Sequence, residues 1–212
     1  MLMPVVRQSI YAPSLSIHKV QLTFAITVYC DNYFHLRSMG EIRIPHNVSL
    51  IVSILYSREE MLQQAMNLLN DRFFGGELLS FSQLFDFSDY YNEELGTPIY
   101  RRFWRADRLF PRDSLADVKS QTNEMERQYI REGKRQFNLD PGFLSAENFI
   151  LATTKNYTHR IYLRDGIYAD LTLVYKEKGF RTLEWTYPDY AGEEIRNLLR
   201  MERERYLGLL RE

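Results

Sequence analysis

Ionisable side chains gather in one stretch of this sequence, from Phe137 to Tyr175. It reads FNLDPGFLSAENFILATTKNYTHRIYLRDGIYADLTLVY, with Asn138, Asp140, Lys155, His159, Arg160, Asp165 and Asp170 set among apolar runs. Side chains alternate along a strand, so Asn138 and Asp140 share one face, and Asp170 shares one with Tyr168 and Thr172. If those faces coincide, Asp140 and Asp170 offer hard oxygen ligands to Mg2+. The simpler expectation is that Asp140 caps its own turn and Asp170 pairs with a nearby base. Lys155, His159 and Arg160 form a second group, able to wrap a phosphate with help from the hydroxyls of Thr153, Thr154 and Thr158. The competing account is that these cations complement the C-terminal dipole of a helix. Histidine is the residue type whose unperturbed pKa lies near neutrality, which makes His159 a candidate general base, and Asp140 is another. No nucleophile is paired with His159 by sequence.

Three further groups bear on binding. Arg101, Arg102, Arg105 and Arg108 fall within eight residues, with Phe103 and Trp104 between them. Arg101 and Arg102 are candidates for phosphate contact, and the arginine–aromatic mixture would also suit RNA. A solvated face is the plainer expectation. Tyr90 and Tyr91 in FSDYYNEEL and Trp185 in WTYPDY could pack against the organic part of a ligand, or simply bridge core and solvent. Asp189 is expected to cap the last helix.

Several chemistries lack their residues. A single cysteine, Cys30, excludes an intrachain disulfide framework and a cysteine-based zinc knuckle, and it fits a cytoplasmic location. The four histidines have no HExxH spacing. Gly75-Gly76 comes after a helical pattern and lacks the Gly-Lys-Ser/Thr of a phosphate-binding loop. A net charge of -1 argues against duplex binding driven by overall charge. Gln21 to Cys30, QLTFAITVYC, is too short to span a bilayer, so no membrane partner is expected.

The elements that must hold these residues can be read in order. Val48 to Tyr56 is a buried strand. Ser57, with Glu60 at capping-box spacing, opens a helix whose stripe is Met61, Leu62, Ala65, Leu68, Leu69 and Phe73. A strand is expected within Leu78–Phe87. From Ile99 to Phe110 the apolar residues Ile99, Phe103 and Leu109 point inward and the arginines outward. Asp113 or Ser114 caps a helix ended by Gly133. Arg135 to Leu139 is a short strand running into an Asp140-Pro141-Gly142 turn. Ser145 with Asn148 opens a helix to about Thr154. Arg160–Leu163 and Ile167–Tyr175 form a hairpin through the type I′ pair Asp165-Gly166. A short strand, Phe180–Trp185, and a C-terminal helix from Asp189 to about Leu209 complete the pattern. The fold class is α+β: one domain, residues 39–212, with a mixed, mainly antiparallel sheet covered by helices, ferredoxin-like βαβ units being one candidate. Residues 1–38 are a poorly patterned extension, and Met39 is a candidate natural start.

From about Val48 to Tyr190 the chain resembles a prokaryotic family defined as a domain of unknown function, DUF4416. The stretches that carry the resemblance are FDFSDYYNEELG, FNLDPGFLSAENFILATTK, THRIYLRDGIYADLTLVY and WTYPDY. The resemblance implies that Asp86, Asp89, Tyr90, Tyr91, Asn138, Asp140, Lys155, His159, Arg160, Asp170, Trp185 and Asp189 lie in the family's signature segments; it assigns them no roles. The expected function is binding of a phosphorylated metabolite or nucleotide with Mg2+, extending to phosphoryl transfer or hydrolysis. The alternative is a non-enzymatic domain that engages protein or RNA.

Overall fold

A strand that is apolar at almost every position needs cover on both faces. Val48–Tyr56 (β1) has it, with all nine residues buried. The computed structural model describes residues 41–211, and residues from Pro45 onward cluster as one unit. The expectations for residues 1–38, for Met39 and for Gln21–Cys30 lie outside the described residues. After β1 come α1 (Glu59–Phe73), β2 (Gly76–Leu84), the four-residue α2 (Asn92–Leu95), β3 (Tyr100–Phe110), α3 (Leu115–Gln128) and β4 (Phe137–Leu144). β5 (Asn148–Thr153), β6 (Arg160–Arg164), β7 (Ile167–Lys176), β8 (Gly179–Thr182), α4 (Pro188–Ala191) and α5 (Glu193–Leu209) follow. Among the described residues no helix is long and apolar enough to cross a membrane.

The eight strands form one sheet in the order β2-β3-β1-β4-β5-β7-β6, with β8 also on β7. Every strand pairing is antiparallel. The first half, β1-α1-β2-β3-α3-β4 in spatial order β4-β1-β3-β2, is the split βαβ arrangement of a ferredoxin-like fold. Strands β5 to β8 extend that sheet past β4. The α+β expectation therefore holds, and the βαβ candidate is the one realised in the first half.

Alternation along β1 divides the core in two. Leu50, Val52 and Ile54 pack with Met61, Leu62, Ala65, Leu69 and Phe73 of α1 and with Leu115, Val118 and Met125 of α3. Ile51, on the other face, packs with Phe103, Phe149, Leu173, Tyr190 and the α5 residues Ile195 and Leu199. Tyr206 of α5 ties back to the start of the unit, its hydroxyl donating to the Asn47 carbonyl at 2.8 Å.

Four local expectations are corrected. Ser57 does not cap α1; Arg58 is the N-cap residue, with no side-chain cap, and Ser57 Oγ donates to the Leu95 carbonyl instead. Ser145–Thr154 is not a helix. Ser145 Oγ accepts from the backbone of Glu147 and Asn148, and this turn leads into β5. β-branched and aromatic residues in NFILAT favour that outcome once a neighbouring strand is in place. Asp189 does not open a continuous last helix, because extended Gly192 (ψ 142°) separates α4 from α5.

The fourth correction decides the site. Asp140-Pro141-Gly142 is not a turn but the middle of β4, paired with Ser53, Val52 and Ile51 of β1. Pro141 has no N–H to give to a ladder. The β4–β5 ladder accordingly holds only the pairs from Gly142–Leu151 to Leu144–Phe149. Beyond Gly142 the strands part, and β5 continues to Thr153 paired with β7 alone. Gly142 is needed for a separate reason: a Cβ there would sit 2.5 Å from Phe149 Cζ. The Asp165-Gly166 hairpin is as expected, with φ of 54° and 75°.

Gly142→Ala should lower stability by about 1–3 kcal/mol, the usual cost of overpacking. The urea midpoint of the variant measures it; an unchanged midpoint would show that Phe149 can move aside.

Candidate functional site

The fork between β4 and β5 opens into a cavity of about 440 Å³. Asn138 and Asp140 of β4 form one wall, and Leu151 to Lys155 with Asp170 of β7 form the other. Phe85, Phe87, Ser88, Tyr90 and Tyr91, from the β2–β3 connection, cover one side. Lys119, Asn123 and Glu126 of α3 and Arg135 close a second side, and Arg101 with Tyr187 to Tyr190 lies at the end toward the C-terminal helices.

Arg101 was expected to face outward, but it is only 3 % exposed. Its register explains this: opposite Leu55 of β1, it shares with Phe103 and Arg105 the face that α4 and α5 cover. Asp189 Oδ2 lies 2.5 Å from Arg101 Nη2, and the guanidinium sits over the rings of Phe85 (4.9 Å) and Tyr190 (5.1 Å). Such stacking adds to the ion pair in a desolvated site. Arg101 Nε and Nη1 have no protein partner. Burial pushes the Tyr190 phenol up, so it stays protonated and able to donate.

The α3 wall is a continuous polar network. Lys119 Nζ donates to the Leu139 carbonyl at 2.9 Å and to Asp140 Oδ1 at 3.3 Å. Asn138 Nδ2 donates to Asp140 Oδ2 at 2.6 Å, while Asn138 Oδ1 accepts from Arg135 Nη1 at 2.8 Å. Arg135 holds Glu94 through two bonds and Glu126 through a third. Glu126 also accepts from the Leu139 N–H at 2.6 Å. Burial raises the Glu126 carboxyl above its ordinary range, against the pull of Lys119 and Arg135. The Arg135 hydrogen bonds lower Glu94.

On the opposite wall Asp170 Oδ2 accepts from Arg160 Nε at 2.9 Å and lies 3.1 Å from His159 Nε2. His159 stacks on Trp185 with ring centroids 4.9 Å apart. Arg160 also donates to the Lys155 carbonyl and to the Tyr187 hydroxyl. Lys155 does not end a helix; it follows β5, exposed at the mouth, with Nζ 4.5 Å from the Tyr90 ring centre.

Of the residues expected to form a site, Asn138, Asp140, Lys155, Asp170, Arg101, Tyr90 and Tyr91 line this one cavity. His159, Arg160 and Trp185 stand behind Asp170 and do not line it. Arg102 points to the other face of β3, opposite Ile54, where it donates to the Leu79 carbonyl. Phe103 and Trp104 are fully buried and present no stacking surface; Trp104 Nε1 donates to Asn70. The four arginines of β3 therefore form no single exposed face. Asp140 and Asp170 line the same cavity, yet each is held by a cation. Among the described residues no three or more His, Cys, Asp or Glu gather as a metal-binding group.

Lys119, Glu126, Arg135 and Tyr190 were missed as site residues. A signal existed for two of them. Lys119, Thr122 and Glu126 recur at helical spacing beside the apolar stripe of α3, which marks polar groups turned inward.

Removing one member of a buried ion pair strands the other charge. Asp189→Asn should therefore cost about 3–5 kcal/mol in chemical denaturation, and Arg101→Met/Asp189→Leu distinctly less. Equal losses in the two variants would mean that the pair itself contributes the stability.

A family model described as a domain of unknown function, DUF4416, matches residues 46–206. Neither the curated proteins nor the solved structures contain a match. With most of its length inside that model, including every strand and every wall of the cavity, the chain belongs to the DUF4416 family.

Proposed function

We propose that the cavity binds a small anionic ligand, a phosphorylated metabolite or nucleotide, with its phosphate at Lys155. The observation that carries this reading is an imbalance in the wall. Of the cations that line it, Arg101 meets Asp189, Lys119 meets Asp140, and Arg135 meets Glu94 and Glu126. Lys155 alone has no carboxylate partner among the described residues, and it stands at the mouth beside the Thr153 and Thr154 side chains. A phosphate there would gain a charge-assisted hydrogen bond without breaking an existing pair. The rings of Tyr90 and Tyr91 offer the organic part of the ligand an apolar surface. A cavity of this size with a few convergent polar groups is the ordinary form of a small-molecule site.

Mg2+ would have to take Asp140 from Lys119 or Asp170 from Arg160, whereas Lys155 can balance the charge of a phosphate without displacing either pair. For phosphoryl transfer or hydrolysis the base within reach of a ligand would be Asp140, which lies on the wall, and not His159, which does not. The buried, divided arginines of β3 give RNA no face of the kind the sequence suggested.

Calorimetric titration with phosphorylated metabolites and nucleotides, with and without Mg2+, tests the proposal. Binding should be insensitive to Mg2+ and should weaken about tenfold in Lys155→Ala, the worth of one charge-assisted hydrogen bond. Lys155 is exposed, so the variant should keep its fold. Absence of binding by every phosphorylated compound, or equal binding by Lys155→Ala, would overturn it.

A further inference from the structure

The charges around the cavity do not cancel wall by wall. Asp189 answers Arg101, and Asp170 answers Arg160. On the α3 side three carboxylates, Glu94, Glu126 and Asp140, meet two cations, Lys119 and Arg135. Both Glu126 oxygens accept, one from Arg135 and one from the Leu139 N–H, which is the arrangement of an ionised carboxylate. Glu94 accepts from Arg135 through both of its oxygens. The excess negative charge therefore falls to Asp140. Lys119 makes its shorter bond, 2.9 Å, to the Leu139 carbonyl and reaches Asp140 Oδ1 only at 3.3 Å.

Asp140 is also the carboxylate of this group that a ligand can reach. Its side chain is 32 % exposed, against 6 % for Glu126, and it lines the cavity, which Glu94 does not. Each Asp140 oxygen carries one hydrogen bond, from Lys119 or from Asn138, so a lone pair remains on each. Tyr91 is close enough to feel this charge: burial first, and the Asp140 carboxylate next, push its phenol up, and the ring stays uncharged. A carboxylate near an aromatic ring, in a partly desolvated cavity, suits an ammonium group. On the β5 side the sign reverses, because Lys155 is a cation with no carboxylate partner among the described residues. A single molecule that satisfies both walls is a cation at one end and an anion at the other. The lining also holds Ser88, Asn123, Thr153 and Thr154, whose hydroxyl and amide groups suit a hydroxylated body.

We infer that the ligand is a phosphorylated amine of the amino-sugar phosphate type, its ammonium at Asp140 and its phosphate at Lys155; this rests on the anion-binding reading of Lys155. Paired probes that differ at the amine test it: glucosamine 6-phosphate against glucose 6-phosphate, and 2-aminoethyl phosphate against ethyl phosphate. Calorimetry on the full chain should show the amine of each pair binding about tenfold or more tightly, as one charge-assisted hydrogen bond would give. Asp140→Asn should close that gap and leave the binding of glucose 6-phosphate in place. Lys155→Ala should weaken both members of a pair alike. The comparison of ligands on the unaltered protein needs no variant, so it decides the matter even where Asp140→Asn fails to fold. Amines that bind no more tightly than their partners, or a gap that persists in folded Asp140→Asn, would overturn the inference while leaving the anion site standing. If no phosphorylated compound binds at all, the anion site falls and the inference with it.

Discussion

Two arginines inside the sheet constrain the rest of the molecule. Arg101 and Arg105 alternate with Phe103 on one face of β3, and each is almost completely buried. A guanidinium cannot stay in such a place without a carboxylate, since its desolvation would exceed what the surrounding apolar contacts return. Asp189 of α4 meets Arg101, and Glu202 of α5 meets Arg105 at 2.7 Å, with Glu77 of β2 on its other side. The C-terminal helices are thus fixed to the sheet by charge as well as by Ile195 and Leu199. The same requirement carries Tyr190 and Asp189 to the inner end of the cavity. Packing and site are set by the same buried ion pairs.

The second constraint is a missing hydrogen. Pro141 cannot donate, so the ladder between β4 and β5 begins only at Gly142. In a continuous sheet the space beside Asn138 and Asp140 would be filled by β5. Here it is open, and its polar wall is held by Lys119, Arg135 and Glu126, whose bonds replace the ladder that Pro141 forbids. A ferredoxin-like half thereby acquires a crevice within its extended sheet instead of on an exposed face.

Much of this was legible beforehand, where the local pattern and the tertiary environment agreed. β1, α1, α3 and the Asp165-Gly166 hairpin fall where apolar periodicity and turn residues place them. Strand alternation put Asn138 and Asp140 on one face, and both line the cavity with Asp170; Lys155 was read as a helix end and reaches the mouth because β5 stands in place of that helix. The errors share a cause. Asp140-Pro141-Gly142 has the composition of a turn and becomes strand because β1 supplies hydrogen bonds along its whole length. Ser145–Thr154 has a capping pattern and becomes strand because β7 lies beside it. Arg101 and Arg105 look solvated until carboxylates far along the chain come to meet them. In each case a partner distant in sequence outweighed a local preference that is small by comparison.

The sequence by itself determined the elements with strong periodicity, the α+β class and the family. These depend on near neighbours or on composition, and so can be read along the chain. Only the tertiary structure decided that β4 passes straight through its proline, that His159 and Arg160 serve Asp170 behind the wall, and that Arg101 lies inside against Asp189. Those outcomes depend on strand order and on which carboxylate reaches which cation. Neither is written in the spacing of residues, because hydrogen-bond and charge partners are chosen across the sheet, where neighbours lie tens of positions apart.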